Sequence, residues 1–182
     1  MFILSGIITG VISGIVASGI FFLVLLCFRP KVKISDEICR GDGYYLIKVV
    51  NHTKSMLKNL NYTLHIYETL GDGIFRLEHI KPRKRALFCI DKYDKSDMDA
   101  NYAVCFSYEI PEEFLLNTGN KLVFNFLADH ALSNTSACIK KEYTYDDIIE
   151  GVFETRTSTK IIRNRIKNAY DTPNLKESVA ST

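Results

Sequence analysis

Charge is missing from the first part of this sequence, and local catalytic motifs are missing from all of it. No Asp, Glu, Lys or Arg occurs from Phe2 to Phe28. The chain also lacks Cys-x-x-Cys, His-Glu-x-x-His, Gly-x-Ser-x-Gly, and the glycine-rich loops that hold phosphates. These absences remove the local signatures of zinc ribbons, zinc proteases, α/β-hydrolases and dinucleotide enzymes. The net charge of +2 gives no overall attraction to DNA or RNA, and we predict neither as a partner.

The uncharged run is long enough to cross a lipid bilayer. A helix over these residues would be about 40 Å long, against a hydrocarbon core of about 30 Å. A cleavable signal peptide would carry a basic segment and a shorter apolar core, and a helix buried in a soluble core would have a polar face. We therefore predict one transmembrane helix, with residues 1–29 as the membrane segment and the lipid bilayer as its partner.

Basic residues follow this run but do not precede it. Arg29, Lys31 and Lys33 come directly after the predicted helix. Because the cytoplasmic flank of a membrane helix is usually the basic one, we expect the N-terminus outside and the following domain in the cytoplasm. The five cysteines lie mostly in apolar runs and are predicted to be free thiols, as a reducing compartment requires. Three glycosylation tripeptides, at Asn51, Asn61 and Asn134, are predicted to be turn and strand residues instead.

Beyond the membrane segment the hydrophobic period changes from helical to two. In LNYTLHIYE, Leu60, Leu64 and Ile66 fall on one face of a strand and polar residues alternate with them. Gly-Asp-Gly at 41–43 and 71–73 and Asn-Thr-Gly-Asn at 117–120 indicate turns. The predicted strands are 31–38, 44–51, 60–68, 74–80, 85–90, 101–110, 121–128, 137–145 and 148–155.

This pattern predicts a mainly β fold: an N-terminal transmembrane helix followed by an antiparallel β-sandwich or small β-barrel over residues 30–157. Gly151, inside the last strand, suits a bulge. Residues 111–119 suit a short helix or an edge loop. The tail, residues 158–182, interleaves isoleucines with Lys and Arg, which suits a basic amphipathic helix or a frayed basic end.

Small residues recur at every fourth position of the membrane segment. Close backbone packing drives helix association in lipid, so rows of small residues favour self-association over mere tolerance of Gly and Ser in membrane helices. The two rows lie about 100° apart around the helix and would serve a dimer or a larger homo-oligomer. The first row is Gly6, Gly10, Gly14 and Ser18, and the second is Ser5, Thr9, Ser13 and Ala17.

Two charged segments are candidates for ligand binding, one basic and one acidic. HIKPRKR, residues 79–85, is the densest basic cluster, and Lys81, Arg83, Lys84 and Arg85 are the candidates for a phosphate or anionic contact. The alternative is a charged hairpin turn. The acidic loop 91–99 departs from the spacing of a calcium loop, and a solvated loop is favoured. No catalytic residue, metal ligand or cofactor is predicted, so we do not expect an enzyme.

Residues 28–35, FRPKVKIS, and 45–51, YLIKVVN, resemble uncharacterised bacterial single-span membrane proteins with a small cytosolic β-domain. The overall layout is also similar to the membrane effectors of bacterial cyclic-oligonucleotide antiphage systems. This second resemblance implies an inner-membrane sensor or effector. Its β-domain would bind a small anionic ligand such as a nucleotide signal, and its helices would associate to disrupt the membrane. The alternative is a passive, membrane-tethered module that binds another protein.

Overall fold

The computed structural model describes residues 2–41, 43–71, 74–83, 87–111 and 119–162. Its first element is the helix α1, Phe2–Cys27. The segment Gly6–Leu25 is long and apolar enough to cross a membrane, and none of it is buried within the chain. The prediction of one apolar N-terminal helix of membrane-spanning length is confirmed.

A mainly β domain follows the helix, as predicted. In the described part of the chain its strands are β1 (Val32–Ile34), β2 (Ile38–Gly41), β3 (Tyr44–Asn51), β4 (Leu57–Gly71), β5 (Ile74–Ile80), β6 (Cys89–Ile90), β7 (Ala103–Tyr108), β8 (Lys121–His130), β9 (Ser136–Tyr143), β10 (Ile148–Glu150), β11 (Val152–Phe153) and β12 (Ile161–Ile162). A 3₁₀ turn, Tyr145–Asp147, separates β9 from β10. The predicted helix at 111–119 falls mainly on residues outside the described ranges.

The first sheet is built around β3. This strand pairs antiparallel with β7 on one side, and with β1 and then β2 on the other. Gly43, with φ of +81°, lies in the tight turn between β2 and β3, where glycine is the residue that accepts such a conformation. The strand β10 pairs with β2 in parallel, with Ile148 opposite Ile38. The prediction of purely antiparallel pairing is therefore wrong here, because β10 enters from the second sheet and runs beside β2 in the same direction.

The second sheet has the strand order β5-β4-β8-β9, and β6 pairs with the first residues of β4. All of its pairs are antiparallel, as expected. Its long strand β4 extends beyond the predicted 60–68 in both directions. The register against β8 shifts between Lys58 and Asn61, and Asn59 has φ of +51°. This irregularity is a bulge, which adds twist and lets a 15-residue strand curve around the core.

One hydrophobic core joins the two sheets. Phe106 of the first sheet lies with its ring centroid 6.0 Å from that of Phe124 and 6.2 Å from that of Phe126, both in the second sheet. At one side the sheets meet through a bridge between Pro82 and Tyr108. The two sheets thus form a half-barrel that encloses its own core without the helix.

A small hairpin, β11–β12, lies over the outer face of the first sheet; we call residues 151–162 the flap. Gly151 separates β10 from β11, so the single strand predicted at 148–155 is two strands in different sheets. Ile161 and Ile162 pair with Phe153 and Val152. The prediction that these isoleucines begin a helix or a frayed end is wrong, since the hairpin partner supplies the backbone hydrogen bonds. The flap also extends past the predicted boundary at 157, and residues 163–182 lie outside the described ranges.

Candidate functional site at the helix exit

The glycines of the first small-residue row contact nothing else in the described part of the chain. A Cβ atom built on Gly6, Gly10 or Gly14 would meet nothing within 4 Å. The hydroxyl of Ser13 donates to the carbonyl of Gly10 at 3.0 Å, and that of Ser18 donates to Gly14 at 2.8 Å. These two hydroxyls are therefore satisfied within the helix and need no water, which suits an apolar surrounding.

The second row is described less fully. Thr9, Ser13 and Ala17 are exposed, and the side chain of Ser5 lies outside what is described. Both rows thus run along one uninterrupted helix, and nothing within the described residues packs on the glycines. Self-association through these rows stays a prediction.

The basic cluster at 79–85 is only partly described, because Lys84 and Arg85 lie outside the described ranges. Lys81 is exposed. The guanidinium of Arg83 stacks over the ring of Tyr44 at 3.9 Å, and its Nε lies 3.7 Å from a carboxylate oxygen of Glu109. The Tyr44 ring and the Glu109 carboxylate thus hold the Arg83 guanidinium. A phosphate would have to compete with them for its N–H donors.

The end of α1 is attached directly to the β-domain. The backbone carbonyl of Phe28, at the helix C-terminus, accepts hydrogen bonds from the hydroxyls of Ser133 at 3.3 Å and Thr135 at 3.1 Å. The Phe28 ring lies 5.9 Å from the ring of His130. Terminal carbonyls of a helix have no partner inside the helix, so these hydroxyls from the β8–β9 turn cap the helix and fix its direction of exit.

Beside this attachment lies an open groove of about 300 Å³; we call it the exit groove. Its basic residues come from two places, the helix exit and the turn after β3. Two apolar side chains are partly or largely exposed there, Phe28 at 43 % and Leu132 at 79 %. The lining residues are Phe28, Arg29, Lys31, His52, Thr53, Lys54, Ser55, His130 and Leu132.

The charge of the exit groove is positive. Its lining contains Arg29, Lys31 and Lys54 and, within the described ranges, no carboxylate. None of these three cations forms an ion pair within the described residues. Burial lowers the pKa of His52, and the nearby Lys33 lowers it further. Burial also lowers the pKa of His130. Both shifts disfavour the charged form of the imidazole, so the positive charge of the groove comes from Arg29, Lys31 and Lys54.

The backbone of the exit groove is held in place by hydrogen bonds. The amide of Lys31 donates to the hydroxyl of Thr53 at 2.8 Å, and the amide of His52 donates to the carbonyl of Lys31 at 2.7 Å. The buried Asn51 side chain donates to the carbonyls of Ser55 and Asp91. The turn that carries Lys54 is thus fixed against the helix exit. Asn51 is fully buried at the end of β3, as the strand interpretation of its tripeptide requires.

Two other groups of polar residues, a histidine pair and the acidic loop, lie outside the exit groove. His65 and His79 are neighbours across β4 and β5, with ring centroids 5.2 Å apart. Burial, together with His79, lowers the pKa of His65. In the acidic loop, Asp94 and Asp97 accept hydrogen bonds from neighbouring backbone amides and hold the loop in turns. Within the described ranges no three His, Cys, Asp or Glu side chains come together as metal ligands.

A buried lysine lies under the flap. Lys48, in β3, is 5 % exposed, and burial lowers its pKa while Cys105 and Glu154 oppose that change. Nearby, the buried thiol of Cys39 donates to the carbonyl of Gly151 at 2.9 Å, and burial raises its pKa to about 11. Both side chains hold the flap to the sheet. The four described cysteines are free thiols as predicted, but Cys89, Cys105 and Cys138 are exposed, so the prediction of core positions holds at Cys39 and is wrong at those three.

Sequence reasoning noted Lys31 and Lys33 near the membrane but missed the exit groove. Lys54 lies more than twenty positions further along, and Leu132 more than a hundred. Only the packing of the β3–β4 and β8–β9 turns against the helix exit brings these residues together. The available signal was the run Asn51-His-Thr-Lys-Ser, a polar turn with a cation between two apolar strands.

Comparison with known proteins adds no relative: no protein-family model matches the chain, and no curated protein matches it significantly.

Proposed function

We propose that this chain is a non-enzymatic, single-pass protein of the bacterial inner membrane. Helix α1 crosses the bilayer with its N-terminus outside, and the half-barrel β-domain works in the cytoplasm as a sensor. The observation that carries this proposal is the exposure of α1. Its apolar side chains are open along its length while the half-barrel closes its own core, so the partner of the helix is lipid or another copy.

The small-residue rows support self-association as the output of the sensor. In lipid, helices associate through close backbone contact, and the glycine face of α1 contacts nothing else in the described part of the chain. Binding of a small anionic ligand, such as a nucleotide signal, to the β-domain would promote this association. The assembled helices would then disrupt the membrane, as in a defence against phage.

One observation favours the alternative, a passive membrane-tethered module that binds a protein. Arg83, central to the predicted ligand cluster, is already engaged by Tyr44 and Glu109. Because the guanidinium of Arg83 already makes these contacts, the cluster is a poorer binding site for a phosphate. In this alternative α1 is an anchor and its glycines are passive.

The deciding experiment is the mass of the full-length protein in a mild detergent. We expect a multimer for the wild type and a monomer for the double variant Gly10→Leu, Gly14→Leu. The matched control is Ile12→Leu, Val16→Leu, on the opposite side of the helix about 200° away. If all three proteins are monomers, the sensor proposal is wrong and the tethered module is favoured. Toxicity of the wild type on expression, absent in the double variant, would support an effector.

A further inference from the structure

We propose that the exit groove binds the phosphate-bearing head group of an anionic phospholipid from the membrane that α1 crosses. The inference rests on the proposed function in one respect, that α1 spans the bilayer. It adds a ligand class and a binding site. It is independent of the cluster at 79–85 and of the small-residue rows.

Position is the first argument. The apolar segment of α1 ends at Leu25, and the groove begins at Phe28, about 4.5 Å further along a helix. When the segment lies in the hydrocarbon layer, the groove is level with the head groups. The hydroxyls of Ser133 and Thr135 bond the Phe28 carbonyl, so the groove cannot swing away from that level.

Composition is the second argument. Among the described residues, the lining combines three cations without ion pairs and no carboxylate, which is the chemistry that recognises a phosphate diester. Leu132, which also lines the groove, is 79 % exposed, although water is a poor surrounding for leucine. Beside a bilayer, Leu132 and Phe28 would reach the boundary of the acyl chains while the cations face the phosphate.

Size is the third argument. The groove volume of about 300 Å³ lies at the lower end of the range for small-molecule sites. A single lipid head group is of that class, whereas a folded protein partner would need a far larger surface. The acyl chains would continue along the exposed apolar side of α1 and need no pocket of their own.

The test uses the full-length protein in mild detergent and native mass spectrometry with phosphatidylglycerol and phosphatidylcholine of matched acyl chains. We expect retention of phosphatidylglycerol in preference to phosphatidylcholine. The variant Lys31→Gln, Lys54→Gln removes two groove cations and should weaken phosphatidylglycerol binding about 25-fold, at about 5-fold per charge.

The matched control is Lys121→Gln, Lys160→Gln, which removes the same charge elsewhere. Lys121 starts the strand that ends at His130, about 30 Å from the groove. The control should bind as the wild type does. Equal weakening in both variants, or no preference between the lipids, would overturn the inference. If free glycerol phosphate binds as tightly as phosphatidylglycerol, the ligand of the groove need not be a lipid, and that part of the inference would be overturned.

Extraction of membranes with alkaline carbonate separates this inference from the proposed function. Release of the chain by carbonate would refute the membrane span, and the inference would fall with it. Retention in the membrane pellet, together with absent lipid preference, would refute the exit groove alone.

Discussion

The ammonium group of Lys48 donates a hydrogen bond of 2.7 Å to the backbone carbonyl of Glu154. One partner lies in the middle of β3 and the other directly after β11, so this bond fastens the flap to the first sheet. The same ammonium also lies 5.8 Å from the centre of the Phe153 ring, a second contact with the flap. The buried Lys48 thus connects β3 to the flap, which is about a hundred residues further along the chain.

Replacement of Lys48 by Met should loosen the flap. The variant keeps the length of the side chain but leaves the Glu154 carbonyl without its donor, at a cost of about 1 kcal/mol. We expect faster trypsin cleavage at Arg156 and Lys160 in the full-length protein. Lys33→Met, at an exposed position, is the control and should leave the rate unchanged. An unchanged cleavage rate in Lys48→Met would show that the flap is held by other contacts.

Cys39 should make the protein less stable at high pH. Burial raises its pKa from 9.0 to about 11 in the folded chain, so the folded state keeps a proton that the unfolded state releases. This contribution to stability is complete below pH 9 and is lost between pH 9 and pH 11. Relative to Cys39→Ala, the wild type should lose on the order of 2 kcal/mol of unfolding free energy across that interval.

The measurement is denaturant unfolding of both proteins in mild detergent at several pH values. Cys138→Ala, at an exposed position in β9, is the control and should follow the wild type. Parallel curves for Cys39→Ala and the wild type would contradict the assignment of this pH dependence to the buried thiol.

Gly151→Ala should be among the most damaging small substitutions in the domain. A Cβ atom there would overlap the carbonyl oxygen of Ile162 and lie 2.8 Å from Cγ2 of Ile161. Backbone atoms cannot move aside easily, so β12 must separate from β11, with a loss of about 1–3 kcal/mol. Gly119→Ala, whose added atom would meet Thr69 at an ordinary 3.6 Å, is the control and should have little effect in denaturant unfolding.

The double variant Ser133→Ala, Thr135→Val should free the helix exit. It removes both hydroxyl donors to the Phe28 carbonyl, each bond contributing about 1 kcal/mol. We expect faster hydrogen exchange of the backbone amides of Phe28, Arg29 and Lys31 in the full-length protein. Ser136→Ala, which removes only an exposed bond to Asp129, should not change it. Equal protection in all three proteins would mean that the polypeptide linkage alone holds the helix.

The elements that could be predicted from the sequence are those with a strong period. The strand at 44–51 and the strand at 74–80 have the predicted bounds, because turn residues flank alternating apolar positions. The run without charge predicted α1. The mainly β class of the domain follows from many such short runs separated by turns.

The rest depended on contacts between distant residues. Strands of two or three residues, such as β11 and β12, have no period to detect, and Ile161 and Ile162 were interleaved with basic residues that favoured a helix. The parallel pairing of β10 with β2 is set by the path of the chain between sheets. The burial of Lys48 could not be predicted either, since lysine alternating with apolar residues normally faces water.

The connection between α1 and β1 is only residues 28–31, which span at most about 14 Å when fully extended. Because this connection is so short, the exit groove of a membrane-anchored chain would stay close to the lipid head groups and would not have to reach them by diffusion. If α1 spans the bilayer as proposed, lipid phosphates would surround the exit groove at an effective concentration in the millimolar range or above, as for any partner joined by a short linker. A groove of modest intrinsic affinity would therefore be filled whenever the bilayer is anionic, and the lipid composition of the membrane would set its occupancy.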